Sequence, residues 1–245
     1  MSQGTHVNVR NETPPPLRRL DGRTSRICLT FDDGPDPEWT PRFLDVLEEA
    51  RVRATFFVVG HAARRYRTLL RHIAAAGHEI GNHTYAHRHP WTLTPTDARR
   101  EVEDGSAAIA DVLGQAPRLF RPPHGRLRPT MTEAAGAQGQ RTVLWSLSAR
   151  DWGAFAQASR IESRLSRAAA GDIVLMHDGR NRRNHPWETL HALPALLGRL
   201  RKAGLEPKPI PPQAATGRRQ KHTGPSQPAG SRGGARAAVG SVSSP

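Results

Sequence analysis

The stretch "RICLTFDDGP", Arg26 to Pro35, joins an apolar run to two adjacent carboxylates and a turn. Ile27, Cys28 and Leu29 read as part of a buried strand over residues 26–31. Side chains along a strand point to alternate faces, so Asp32 and Asp33 cannot share one task while the strand continues. If the strand ends at Phe31, a turn on Gly34-Pro35 can aim both carboxylates into one site with different roles. In isolation the same four residues make an ordinary turn, because Asp, Gly and Pro are all turn formers. The partners supplied by the rest of the chain decide between these readings.

Short apolar runs alternate with helical patterns on either side of that stretch. Strands are expected over 26–31, 54–60, 79–82, 119–121, 142–147 and 172–176, and helices over 41–50, 61–76, 94–113, 161–170 and 186–203. Thr94 has the character of an N-cap with Pro95 at the first helical position, and Gly77 and Gly204 that of C-terminal stops. Such alternation argues for a parallel α/β sheet, either open or closed into a barrel. In both forms the chemistry gathers in the loops that follow the strands' carboxyl ends.

The composition sets bounds on this domain. At 245 residues the chain can bury a substantial core. Its single cysteine, Cys28, excludes an internal disulfide and a cysteine-based zinc knuckle. Within the strand it reads as a small buried hydrophobe. No apolar stretch approaches the roughly 20 residues that span a bilayer, and the N-terminal segment lacks the apolar centre of a secretory signal. The chain as it stands therefore reads as cytoplasmic. The formal net charge of +14 invites a nucleic-acid partner, yet residues 206–245 alone contribute +5 of it. The excess is nearly all Arg, alongside abundant Ala, Gly and Pro, a bias that GC-rich coding produces. No nucleic-acid reader motif accompanies the charge, and aromatics amount to only 5%. Residues 1–22 read as an irregular lead-in containing Pro14-Pro15-Pro16. Residues 23–205 read as one catalytic domain, and residues 206–245 as a basic tail too poor in large apolar side chains to order itself.

Taken in order, the strand ends read "FDDGP", Gly60-His61, "GNHTYAH", "RPPHG", "WSLSARDW" and "VLMHDG". Nearly all the chemically capable residues fall where an α/β fold places its site. His83 and His87 have the i, i+4 spacing of a metal pair, on a helix or in one tight turn. Two imidazoles with one carboxylate suit zinc and its neighbours. Thr84 stands where a zincin would carry its general-base Glu, so the base must come from elsewhere. One of the two aspartates can complete the metal site and the other can take a proton from water.

The ordered set resembles the polysaccharide deacetylases, carbohydrate esterase family four with its chitooligosaccharide deacetylase homology domain, over roughly Arg26 to Gly204. "TFDDGP" is similar to the first family motif, "HTYAH" to the second, "RPPHG" to the third, "SARDW" in part to the fourth and "LMHD" to the fifth. The resemblance implies an irregular (β/α) barrel. It assigns Asp32 as general base and gives one divalent metal, zinc first with cobalt, manganese or nickel as alternatives, to Asp33, His83 and His87. It further implies that His177 is the general acid, that Arg121 orients Asp32, and that Asp151 supports the acid. The backbone N–H of His124 becomes an oxyanion donor, while Pro122, Trp152 and Leu175 shape the substrate pocket.

Two positions depart from the family pattern. His124 replaces an aromatic residue, and Ser148 stands where an acid is common, which leaves Asp151 as the only carboxylate in that segment to tune His177. The expected function is metal-dependent removal of N-acetyl groups from amino sugars of a chitooligosaccharide, peptidoglycan or exopolysaccharide. The partner is thus an acetylated glycan, with no specific nucleic acid, no membrane span and a monomeric state. O-deacetylation, or glycan binding with weak catalysis, are the alternatives.

Overall fold

A computed structural model describes residues 14–21, 25–181 and 183–211. Strand β1, Arg26–Asp32, is buried at every position after Arg26, as befits a central parallel strand covered on both faces. It is flanked by β2 (Thr55–Val58) and β7 (Ile173–His177). Outward on one side lie β3 (Glu79–Asn82), β4 (Leu119–Phe120) and β5 (Arg141–Thr142), and on the other side β6 (Leu147–Ser148). All pairings are parallel, in the order β5-β4-β3-β2-β1-β7-β6, and the sheet curls into a half-barrel. The parallel α/β sheet expected from the alternation is observed, in the barrel-like form that the family resemblance implies.

Seven α-helices are formed by the described residues: α1 (Thr40–Glu49), α2 (Gly60–Arg65), α3 (Arg67–Ala75), α4 (Pro95–Leu113), α5 (Pro129–Ala137), α6 (Ala158–Leu165) and α7 (Pro186–Lys202). Their apolar faces meet the sheet in one main cluster, in which Phe31 stacks on Phe56 with ring centroids 5.1 Å apart. Thr94 caps α4 as expected, its hydroxyl accepting the Asp97 N–H at 3.1 Å. Within α4, Gly105 lets the helix approach β3, since a Cβ there would lie 2.4 Å from Asn82 Oδ1 and 2.7 Å from the Thr84 backbone. That approach seats the segment carrying His83 and His87. Cys28 is fully buried, and burial pushes its thiol up to about 12, in keeping with a packing role.

Several boundaries differ from expectation. Strand β1 includes Asp32 rather than ending at Phe31, because Asp32 still pairs in register with Phe57 and His177. The strand expected over 142–147 is two short strands at opposite edges of the sheet, with Val143–Ser146 crossing between them. The helix expected over 61–76 breaks at Tyr66 (φ −112°, ψ 50°), which turns α2 onto α4 and α3 onto the main core. Helix α6 spans Ala158–Leu165 rather than 161–170, and α5 was not anticipated.

Both chain ends of the domain are tied in more firmly than their composition implies. Glu206–Pro207 forms β8 against the start of β1, and Ile210 is fully buried beside Cys28, Phe57 and Ile173. The domain therefore continues past residue 205, because Ile210 supplies an apolar anchor within an otherwise polar stretch. In the lead-in, Leu17 bridges to Val143, Arg19 bridges to Asp172, and Leu20 packs on the Ile210 cluster. Of the tail expected over 206–245, residues 212–245 lie outside the described residues, all of which belong to one compact unit. Among them no helix is long and apolar enough to cross a membrane.

His78 shows how burial within this fold sets an acid limit. Its Nδ1 accepts the Ala54 N–H at 3.0 Å, and its ring meets Phe56 edge-on. Burial, reinforced by Arg53 and His72, lowers its pKa to about 4. A folded pKa below the unfolded value of about 6.5 makes the neutral ring a source of stability. That stability is complete above pH 6.5 and is lost as the pH falls toward 4. His78→Asn keeps an acceptor for Ala54 but cannot titrate. Urea midpoints measured between pH 7 and pH 4 are expected to fall less in His78→Asn than in the parent protein, and parallel curves would exclude His78 as the source.

Candidate active site

At the carboxyl end of β1, Thr30 and Asp32 occupy the same face of the strand, two residues apart. A single guanidinium binds both: Arg121 Nη1 donates to Asp32 Oδ1 at 2.6 Å and to Thr30 Oγ1 at 2.8 Å. The chain then leaves strand geometry. Asp33 adopts φ 74°, a left-handed conformation that Asp tolerates better than most residues. This turn brings the second carboxylate into the same cleft as the first. Gly34 is required just beyond it, because a Cβ there would lie 2.3 Å from the carboxylate of Asp178.

The histidine pair lies in a turn after β3, not on a helix. His83 Nδ1 donates to the backbone carbonyl of Arg121 at 2.8 Å, which fixes the tautomer and leaves Nε2 with its lone pair toward the cleft. His87 follows two left-handed backbone positions, at Thr84 (φ 68°) and at itself (φ 52°). Its Nε2 lies 3.1 Å from Asp33 Oδ1, and that of His83 lies 3.3 Å from the same oxygen. The three donor atoms fall within 4.8 Å of one another.

The character of Asp33 Oδ1 tests whether a cation fits. It is buried and makes no aligned hydrogen bond, although two ring nitrogens stand close by. The donors thus converge on a common point instead of pairing with each other. Two imidazole nitrogens and one carboxylate oxygen form a set that fits a divalent cation of the zinc type. Burial opposes ionisation of Asp33, but the two imidazoles against it outweigh burial and hold the carboxyl well below its usual range. The His87 ring is raised in turn: burial resists its charging, and Asp33 overcomes that resistance.

A further imidazole faces the cleft from the end of β7. His177 Nδ1 lies 2.8 Å from Asp151 Oδ1, while Asp151 Oδ2 accepts the His177 backbone N–H at 2.8 Å and the Thr189 hydroxyl at 2.6 Å. Burial works against a charged ring here, yet the fully buried Asp151, aided by Asp33 and Asp32, raises His177 to about 9. Ser148 takes no part, since its hydroxyl accepts the Arg150 N–H at 3.2 Å. The next residue, Asp178, is buried against Thr40, and burial pushes its carboxyl up to about 7, with Asp33 and Asp36 adding to the rise.

These groups line one cleft of about 510 Å³, which brings together Asp32, Asp33, His83, His87, His124, Trp152, Leu175 and His177. Arg121 and Asp151 stand behind it, both fully buried. Pro122 is not among the lining residues. His124 lies between His87 and His89, with ring centroids 4.9 and 5.1 Å away. Burial and those two neighbours lower it to about 4, so it is neutral at neutral pH. Trp145, Asn181, Arg183 and Asn184 also line the cleft and were not anticipated. The polar run "DGRNRRNHP" directly after β7 was the available signal, because loops at strand carboxyl ends carry function in this architecture.

A family description, polysaccharide deacetylase, matches residues 20–143. A peptidoglycan-N-acetylglucosamine deacetylase of Bacillus cereus is 38% identical over 180 residues, which cover 73% of this chain and 83% of that protein. A chitooligosaccharide deacetylase of a Bradyrhizobium species is 36% identical over 201 residues, covering 77% and 90%. Among solved structures, a family 4 carbohydrate esterase from Streptomyces lividans in complex with acetate superposes with a TM-score of 0.70 at 33% identity, over 80% of this chain and 96% of that one.

The geometry around His177 makes a prediction that needs no substrate. In metal-free protein the His177 ring, followed by NMR, is expected to titrate near 9. Asp151→Asn should lower that value by about one to three pH units, the usual effect of a neighbouring opposite charge. Ser148→Asp should leave it in place. A shift in the second variant and none in the first would reassign the partner.

Proposed function

The chain belongs to the polysaccharide deacetylase family, and from that premise we propose that it is a metal-dependent hydrolase removing N-acetyl groups from amino sugars of a poly- or oligosaccharide. The observation that carries the reading is the meeting of Asp33, His83 and His87 in one cleft with a carboxylate and an imidazole held by separate charged partners. The Bacillus cereus and Bradyrhizobium relatives, a peptidoglycan-N-acetylglucosamine deacetylase and a chitooligosaccharide deacetylase, support the same substrate class.

A divalent cation on Asp33, His83 and His87, zinc by preference with cobalt, manganese or nickel as alternatives, would supply Lewis acidity and lower the pKa of water from 15.7 toward roughly 7. The protein's own groups then divide the proton work. Asp32 Oδ1 is engaged by Arg121, while Oδ2 lies 3.8 Å from His83 Nε2, on the side of the three donors. Oδ2 is the acceptor for the proton that leaves the attacking water. As the water oxygen bonds to the acetyl carbon, the backbone N–H of His124 serves as a donor to the carbonyl oxygen. Breaking the C–N bond requires a proton on the departing nitrogen, and His177 gives it while Asp151 holds the ring in place. Acetate and the free amine are the products. Leu175 accommodates the acetyl methyl, and Trp152, whose ring centroid lies 5.5 Å from that of His177, forms a wall beside the sugar.

The test is acetate release from N-acetylated chitooligosaccharide, peptidoglycan and acetylxylan after loading with each metal in turn. Release from an N-acetylated glycan is expected, and release from acetylxylan alone would make the protein an O-deacetylase. Asp32→Asn should keep its metal and lose roughly 10² to 10⁴ in kcat, the usual contribution of a positioned base. His83→Ala should lose the metal itself. Full activity in Asp32→Asn would remove the assigned base.

A further inference from the structure

The loop after β7, residues 178–185, reaches the other oxygen of Asp33. Asp33 Oδ2 accepts Nδ2–H groups from Asn181 at 2.8 Å and from Asn184 at 2.5 Å. The orientation of both amides follows from their remaining contacts. Asn181 Oδ1 accepts the backbone N–H groups of Arg183 and Asn184 at 2.8 and 2.9 Å, so its NH₂ must face Asp33. Asn184 Nδ2 also meets the Gly179 carbonyl at 3.3 Å, and two acceptors in contact with one atom require that atom to be the nitrogen.

Asp33 is the ligand most in need of such support. His83 is anchored by the Arg121 carbonyl, whereas Asp33 stands on a left-handed turn and, among the described residues, pairs with the two imidazoles but with no Arg or Lys side chain. Two neutral donors on Oδ2 fix the carboxylate without neutralising the charge it offers to a cation. They also occupy the oxygen that would otherwise swing in as a second ligand atom. The loop is itself pinned to the segment around Asp151: the Arg183 carbonyl accepts the Gly153 N–H, and the His185 N–H donates to the Asp151 carbonyl, both at 2.9 Å.

We propose that Asn181 and Asn184 are positioning residues of the metal site, holding Asp33 as a one-oxygen ligand and setting cation affinity. The inference rests on the metal reading above. Removing an outer partner of a metal ligand commonly weakens affinity by about 10- to 100-fold.

Zinc binding by the full chain is measured in competition with a chromogenic chelator for the parent protein, Asn181→Ala, Asn184→Ala and the double variant. Each single change is expected to weaken zinc by about 10- to 100-fold, and the double change by more. In cobalt(II)-loaded protein the visible absorption should change as Asp33 becomes free to engage both oxygens, a signature that a merely structural role would not produce. Arg180→Ala, which alters the same loop outside the cleft and leaves both hydrogen bonds to Asp33 in place, should bind zinc as the parent does. If Asn184→Ala does not fold, the exposed Asn181 carries the test alone. Zinc affinity within twofold of the parent in the variants that fold, with an unchanged cobalt spectrum, overturns the proposal. Undiminished binding by His83→Ala would overturn the metal reading and this inference with it; loss there with no loss in the asparagine variants overturns this inference only.

Discussion

A fully buried guanidinium holds the two halves of the site in one frame. Burying an ion costs several kcal/mol unless a partner and well-placed hydrogen bonds offset it, and Arg121 has both. Its Nη1 is shared between Asp32 and Thr30, its Nη2 donates to the Leu144 carbonyl at 3.1 Å, and its plane lies 4.0 Å from the centroid of the Phe57 ring. Its backbone contributes as well, taking the His83 ring N–H on its carbonyl and giving its own N–H to Asn82. One residue therefore fixes Asp32 with its side chain and His83 with its main chain. A displacement of Arg121 would move both together.

The partners given to each carboxylate explain how adjacent aspartates serve different ends. Asp32 faces a permanent cation, which fixes the carboxylate in position beside the three donors. Asp33 faces two amides and two imidazoles, none carrying a permanent charge, so its own charge remains available. Asp151 is matched with an imidazole and a hydroxyl, an arrangement that keeps a proton on the ring rather than removing it. Three carboxylates near one cleft are thus distinguished by what touches them.

Much of this was legible in the sequence because strand ends are punctuated. Hydrophobic runs closed by Asp, His, Gly or Pro located Asp32, Asp33, His83, His87 and His177, and the motif order placed them in one site. The elements that were not legible are those whose identity depends on distant partners. Residues 142–147 read as one strand, and only pairing with β4 on one side and β7 on the other divides the segment in two. Helix α5 is rich in Ala and Thr and has a weak apolar face, so periodicity does not reveal it. Ile210 sits among prolines and lysine, where composition argues against burial. Asn181 and Asn184 lie in a polar loop with no spacing rule, and their role depends on where a turn 148 residues earlier than Asn181 has delivered Asp33.

Leu17 and Leu20, near one end of the described residues, pack on the same small cluster as Ile210, near the other. Glu206–Pro207 pairs with the start of β1 at one pole of the strand, whereas the groups of the candidate site stand at the other. A strand of seven residues separates the two poles by roughly 20 Å. The domain is therefore suited to circular permutation. A peptide joining residue 211 to residue 14 would close the chain, and new ends could be opened in a surface turn elsewhere.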